Sequence, residues 1–490
     1  MGINQPSAGT PTGTSRRAFL TASAASAAAV TIPMAVGTTP AAGAPARITF
    51  PANGPVPGRP TTPQRPDREL RAILREVDPA NIEAIVRRLV SFGTRHTLSS
   101  QTDPVRGIGA ARDWIFETLQ GYAAASGGRM TVEKQSFVQP AGSPRIPVDT
   151  VITNVIATLR GDTVPERVYV VSGHYDSRVT DVLNATADAP GADDDASGVA
   201  VAMELARVMA TRHSEATLVF AAVAGEEQNL YGSAHMAEAM RTANVNVQGM
   251  ITNDIVGSST DEDGDRDRRT VRLFAEGVPT SETPAQAAAR IANGGENDSA
   301  TRQLARFILD VADNSATGMN IRPIWRRDRF LRGGDQISFL QRGYPAVRFT
   351  EPAEVFAHQH QDVRVENGVQ FGDLIEFCDF EYIAGVARVN GAALWSLAQG
   401  PQAPGRTRII TAQLTNETTL RWDRGTEADL AGYEVVWRET TAPDWTHVIP
   451  VGDVTEVTID LSKDNVFFGV RAVDQAGHRS PVAYPSAAAT

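Results

Sequence analysis

Val168-Tyr169-Val170-Val171-Ser172-Gly173-His174-Tyr175-Asp176-Ser177 is the stretch on which the fold turns. A short apolar run stopped by glycine reads as a buried strand. The same pattern recurs downstream. Thr217 to Ala224 is apolar and leads into Gly225-Glu226-Glu227. Met250 and Ile251 lead into Asn253-Asp254. Between the first two runs stands Gly191-Ala192-Asp193-Asp194-Asp195-Ala196-Ser197-Gly198, followed by apolar residues at helical spacing from Val199 to Met209. Strand, helix, strand in this order predicts a parallel sheet with crossover helices. Polar groups then gather at the carboxyl ends of the strands, where such sheets bind ligands.

Residue type suggests the chemistry. Zinc takes imidazole nitrogen and carboxylate oxygen, and a catalytic zinc keeps a position open for water. His174, Asp194, Glu227 and Asp254 are four such ligands, and one more histidine would complete two sites sharing a carboxylate. Two ions bring +4, three carboxylates −3 and a hydroxide −1, so the charges balance. Asp176 lies two residues after His174 on the same face of an extended strand and can orient its imidazole. Glu226 precedes Glu227 and can face the metals without ligating them, as a general base would.

Taken together, these clusters resemble the co-catalytic dizinc exopeptidases related to bacterial leucyl aminopeptidase and glutamate carboxypeptidase. The resemblance covers roughly residues 80 to 400. It makes His174 of the G-H-x-D-S pattern the first ligand and Asp194, rather than Asp193 or Asp195, the bridging one. It makes Glu226 the base, and Glu227 and Asp254 further ligands. The family's last ligand is a histidine four residues before an aspartate. His358 with Asp362 fits this, and His360 is the near-by rival. The family also tends to have a cis peptide after the bridging aspartate. Any one cluster alone reads as a polar strand end, a helix cap or a solvated loop. Their occurrence in order, each beside a strand or helix, is what makes the pattern specific.

Residues 1–44 contain no acidic residue, and Ser15-Arg16-Arg17-Ala18-Phe19-Leu20 resembles a twin-arginine export motif. An Ala-rich stretch and Ala42-Gly43-Ala44 complete a signal peptide, so an exported, periplasmic or extracellular enzyme is expected. No stretch is long and apolar enough to predict a membrane span. The net charge is −11, and losing Arg16 and Arg17 takes it to −13. Nucleic acid and anionic membrane are therefore not expected partners. Cys378 is the only cysteine, so no internal disulfide can form, and it reads as core.

Residues 45–66 are Pro-rich and read as a flexible lead-in. The catalytic domain is expected over 67–398. Asp78-Pro79 opens a helix that buries Ile82, Ile85, Val86 and Leu89. Ala111 to Tyr122 reads as a second helix. Met130 to Val138 and Thr150 to Leu159 alternate like an antiparallel pair, so the sheet should be mixed. His96 reads as structural. Residues 258–300 read as a charged, Gly-rich loop, with Asp261, Asp263 and Asp265 solvated rather than calcium-binding. Thr301 to Asp313 and Glu381 to Leu397 read as helices. Gly334-Asp335-Gln336 departs from the Ser-Asp-His that the family often has there.

Residues 399–406 form a Pro/Gly linker. Short alternating strands follow in 407–490, with Trp422, Trp437 and Trp445, three of the chain's six tryptophans. They resemble a fibronectin type III domain, with Val466 where that family has its corner tyrosine. Two roles fit equally: a module contacting a cell wall or another protein, or an appendage packed on the catalytic domain.

The expectation is an α/β fold with a mixed central sheet flanked by helices on both faces, plus a small all-β sandwich. Its cofactors would be two Zn²⁺ per chain, and its activity that of an exported metallo-exopeptidase acting on peptides or proteins. Aminopeptidase action is favoured over carboxypeptidase action. The cationic candidates for a C-terminal carboxylate are Arg326, Arg327, Arg329, Arg332 and Arg348. The further rivals are a one-zinc glutaminyl cyclase and a non-catalytic binding protein.

Overall fold

The computed structural model describes residues 46–49, 57–412 and 414–488. The expected signal peptide, 1–44, lies outside them. Eight strands make the central sheet: β1 (Met130–Gln139), β2 (Thr150–Leu159), β3 (Val164–His174), β4 (Ala216–Val223), β5 (Asn246–Asn253), β6 (Thr270–Phe274), β7 (Asn320–Ile324) and β8 (Ala346–Thr350). Their order is β1-β2-β4-β3-β5-β8-β6-β7. The centre, β4-β3-β5-β8, is parallel. β1 and β2 pair antiparallel, with Met130 opposite Leu159, and β2 runs antiparallel to β4. The sheet is therefore mixed, as the alternation of those two strands predicts.

Helices cover both faces. Pro79–Val90, Ala196–Met209, Ala300–Ala312 and Phe380–Gln399 pack into the larger core, with Val171, Phe220 and Ile251 of the sheet. On the other face Met236 of helix Tyr231–Thr242 and Phe339 of helix Gln336–Gln341 meet Val170, Val219 and Met250. Asp78 caps its helix by accepting from Ala80 N, and Ile82, Ile85, Val86 and Leu89 are its buried residues. Gly173 answers a packing need. A Cβ there would stand 2.3 Å from Val199 N, so only glycine lets β3 approach the start of helix Ala196–Met209 this closely.

Residues 258–300 are more ordered than a charged loop. They hold β6 and the helix Pro284–Ala292, which opens with a capping box of Thr283 and Gln286. Asp261 accepts from Asp263 N and Asp265 N, closing its own turn. Cys378 is half-buried, at the end of a 3₁₀ turn rather than within a helix.

The C-terminal strands form two sheets. Thr418–Arg421 and Glu456–Ile459 belong to one, and Leu430–Glu439, His447–Gly452 and Val466–Asp474 to the other. Leu420, Trp422, Val435, Trp437 and Phe468 share a core. The Pro-rich lead-in is not a free linker where it is described. Ala46–Ile48 pairs with Val457–Ile459, Arg59–Pro60 pairs with His447–Val448, and Trp437 Nε1 donates to Pro57 O at 2.7 Å. This β-rich part packs on helix Ala300–Ala312. Asp298, fully buried, binds Arg306 at 2.8 Å and Arg438 at 2.7 Å. Trp445 Nε1 donates to Gln303 Oε1 at 3.0 Å. Removing one member of such a buried ion group strands a charge, a cost of about 3–5 kcal/mol.

No helix of the described residues is long and apolar enough to cross a membrane.

Candidate metal centre

The site forms where β3, β4 and β5 end. His174 closes β3. Its main-chain N–H donates to Asp195 Oδ2 at 2.9 Å, while Asp195 Oδ1 caps the next helix at Gly198 N. Asp195 thus pins the strand end to the loop that carries Asp194. Arg95, fully buried, clamps that loop from behind, donating to the carbonyls of Tyr175, Pro190 and Gly191. Asp373 accepts from Asp193 N and Asp194 N at 2.9 and 2.8 Å. The peptide between Asp194 and Asp195 is cis.

Two groups of ligand atoms converge. His174, Asp194 and Asp254 make one, and Asp194, Glu227 and His360 the other. Asp194 belongs to both, through different oxygens. Its Oδ1 lies 3.1 Å from His174 Nε2, and its Oδ2 lies 2.9 Å from His360 Nε2. Asp254 Oδ1 is 3.9 Å from His174 Nε2, and Glu227 Oε1 is 3.0 Å from His360 Nε2. All but His360 are buried, and His360 opens to a cleft of about 1060 Å³. Glu226 is half-buried and lines the same cleft.

His358 is not part of this assembly. Its ring stacks on Phe377 at 3.5 Å between centroids and 9° between planes. The expected last ligand is thereby corrected to its rival, His360. The reason is local backbone: His360 has a φ of 54°, in the left-handed region. An extended chain would put residues 358 and 360 on one face; this turn sends them apart. The family spacing to Asp362 could not register it.

Asp176 sits behind His174 as the strand geometry predicts, with a difference in which oxygen serves. His174 Nδ1 is 3.1 Å from the Asp176 carbonyl and 3.6 Å from its carboxylate. The carboxylate accepts instead from Thr97 Oγ1 and from the N–H groups of Glu226 and Glu227. It therefore orients the Glu-Glu pair as well as the histidine. His96 lies outside the cluster, its Nε2 3.0 Å from Val182 O and from Gln228 Nε2. Gln336 is buried and donates to Asp328 at 2.6 Å.

Two arginines touch the ligands directly. Arg348, fully buried, binds Asp254 Oδ1 at 2.9 Å and lies 3.5 Å from Asp328. Strand alternation alone could not tell this from a substrate contact. Arg178 donates from Nε to Glu227 Oε2 at 2.9 Å, and its Nη2 stands 2.6 Å from His360 Nδ1. Arg178 follows the G-H-x-D-S pattern directly, which is the one signal that could have found it. Together they add +2 to the charge count made from the ligands alone.

The electrostatics are those of a crowded anionic site. Burial alone would raise Asp194, but His360 and His174 hold it well below the usual carboxylate range. Burial pushes Asp254 up against the pull of Arg348. Burial also raises Glu226 well above its usual value; His174 opposes this, and the charges of Asp254 and Glu227 add to it. Glu227 Oε1 is buried and has no hydrogen bond. A buried carboxylate oxygen left without a donor, aimed at an imidazole nitrogen and another carboxylate, is the signature of a missing cation. The nitrogen and oxygen donors fit zinc.

A family model described as Peptidase family M28 matches residues 154–367. A "Probable zinc metalloprotease" of Pyrenophora teres f. teres (strain 0-1) is 56% identical over 425 residues, spanning 86% of this chain and 88% of that one. A protein of the same name from Pyricularia oryzae is 56% identical over 444 residues, spanning 89% of this chain and 88% of that one. Among solved structures, the LapA aminopeptidase of Legionella pneumophila is similar at a TM-score of 0.49 and 16% identity, over 69% of this chain and 78% or less of that one, namely 76%. With both the ligand geometry and these relatives in place, the chain belongs to peptidase family M28 and is a zinc metallopeptidase.

Proposed function

We propose that this enzyme is an exported aminopeptidase that holds two zinc ions and removes unblocked N-terminal residues. The observation that supports this most is the division of Asp194, one oxygen toward His174 and the other toward His360. His174, Asp194 and Asp254 would hold one ion, and Asp194, Glu227 and His360 the other. Bound zinc supplies Lewis acidity, which polarises a peptide carbonyl and acidifies a water.

The chain's own residues do the rest. Glu226 takes the proton of the attacking water and returns it to the leaving amine. Its raised affinity for a proton, caused first by burial, suits a group that must hold one between two steps. Asp176 fixes the Glu226 and Glu227 main chain and the His174 ring. The cleft wall admits a peptide end beside Glu226 and Asp254.

The arginines favour the amino end. A C-terminal carboxylate would need a cation free to meet it. Arg348 is committed to Asp254 and Asp328, and Arg329 and Arg332 bind Glu354 at 2.8 and 2.6 Å. A free α-amine instead needs a carboxylate near the metals, and Glu226 and Asp254 both line the cleft. Export rests on residues 1–44, whose paired arginines and Ala-rich stretch suit a twin-arginine signal.

The test is a matched pair of peptides, one N-acetylated and one C-amidated. The amidated peptide should be cut from its amino end and the acetylated one left intact. The reverse result would make the enzyme a carboxypeptidase and leave the metal centre standing.

A further inference from the structure

The two histidines of the cluster have opposite surroundings on their far sides. A zinc-bound imidazole ordinarily donates its other N–H to a carbonyl or carboxylate, which fixes the ring and strengthens it as a ligand. His174 has that arrangement, with Nδ1 facing the Asp176 carbonyl at 3.1 Å. His360 has a donor instead. Arg178 Nη2 stands 2.6 Å from His360 Nδ1, and a guanidinium has five N–H donors and no acceptor. Nδ1 must therefore present its lone pair to Arg178. A neutral His360 then carries its proton on Nε2, the nitrogen that faces Asp194 and Glu227. An ion at that position would have to displace this proton, and Arg178 would have to give way.

Arg178 also occupies Glu227. Its Nε holds Oε2 at 2.9 Å, leaving only Oε1 free for an ion. The guanidinium is largely buried against both residues, with 13% of its side chain exposed, so little water screens its charge. The His174 side has an arginine too, but Arg348 touches Asp254 alone and is shared with Asp328. No cation stands behind His174.

We infer that Arg178 makes the Asp194–Glu227–His360 position the weaker of the two zinc sites, so that the enzyme holds one ion firmly and the other exchangeably. This rests on the two-zinc reading above. Arg178 is a positioning residue in this role: it acts on the metal through His360 and Glu227.

The experiment is a zinc titration of metal-free protein in competition with a fluorescent chelator, on the wild type and on Arg178→Gln, Arg178→Lys and His360→Ala. The wild type should take up two zinc ions in two phases, and His360→Ala should lose the weaker one. Arg178→Gln removes the charge and should tighten the weak phase by about 10- to 100-fold, the range of effects that neighbours of metal ligands have. Arg178→Lys keeps the charge and should leave that phase weak. The wild-type and His360→Ala titrations stand even if an Arg178 variant does not fold. Two ions bound with equal affinity, or a weak phase that survives His360→Ala, would overturn the inference and leave two zinc ions in place. So would a weak phase that Arg178→Gln leaves unchanged or weakens further. A single zinc in both the wild type and Arg178→Gln would overturn the two-zinc reading and this inference with it.

Discussion

The two halves of the metal centre are built from the same ligand types and held in different ways. On one side, His174 is the last residue of a central strand. Its ring is backed by Asp176 and its main chain is tied to Asp195. On the other, His360 sits in a turn with left-handed backbone, half-open to the cleft and backed by an arginine. Asp194 faces both. The contrast shows that a shared carboxylate does not make two sites equivalent. What lies behind each ligand sets how firmly an ion is held, and here the sheet supplies an acceptor on one side and a loop meets a cation on the other.

The harshest way to break this contrast is to remove the residue common to both halves. Asp194→Asn keeps the shape and drops the charge. It should cost more than about 100-fold in zinc affinity at both positions, since even neighbours of ligands cost 10- to 100-fold. Metal analysis after dialysis would read it, and loss of one ion only would show that Asp194 serves one side.

Changing Glu226 should leave both halves filled. Glu226→Gln should retain its zinc yet lose about 10²- to 10⁴-fold in turnover, the usual worth of a general base. Near-normal turnover in the fully loaded variant would remove Glu226 from the chemistry.

Asp176→Asn should sharpen the contrast. Its effect on zinc should be about 10- to 100-fold and fall on the His174 side, because Asp176 backs that histidine. An equal loss on both sides would mean that the carboxylate acts mainly through the Glu226 and Glu227 main chain.

His358→Ala should do least. It removes a ring stack on Phe377, worth about 1 kcal/mol of stability, and should leave the zinc content unchanged. A thermal melt and metal analysis on the same sample check both. A lost ion would return His358 to the ligand set.

How much of this was legible in the sequence follows the sheet. β3, β4 and β5 are short apolar runs, and His174, Glu227 and Asp254 stand at or just beyond their ends, so strand reading and ligand reading supported each other. The antiparallel β1–β2 pair was visible because side-chain alternation has a period of two. What was not legible depends on turns and distant pairings. Nothing in Ala357-His358-Gln359-His360 reveals that residue 360 takes a φ of 54°. Arg348 reads as a candidate substrate contact until the fold shows it buried against Asp254. The Pro-rich segment around Arg59–Pro60 reads as loose chain because its partner, His447–Val448, lies almost 400 residues on. Thr283 and Gln286 did carry a capping signal, masked by the charged and Gly-rich composition around them.

Anomalous diffraction at the zinc edge from crystals of the zinc-loaded enzyme tests the central claim most directly. The account predicts two zinc peaks. One should lie about 2.0–2.2 Å from His174 Nε2 and an Asp254 oxygen, the other at the same range from His360 Nε2 and a Glu227 oxygen, with one Asp194 oxygen reaching each. His358 should remain on Phe377. A single peak, or a zinc ligated by His358 with His360 turned away, would contradict it.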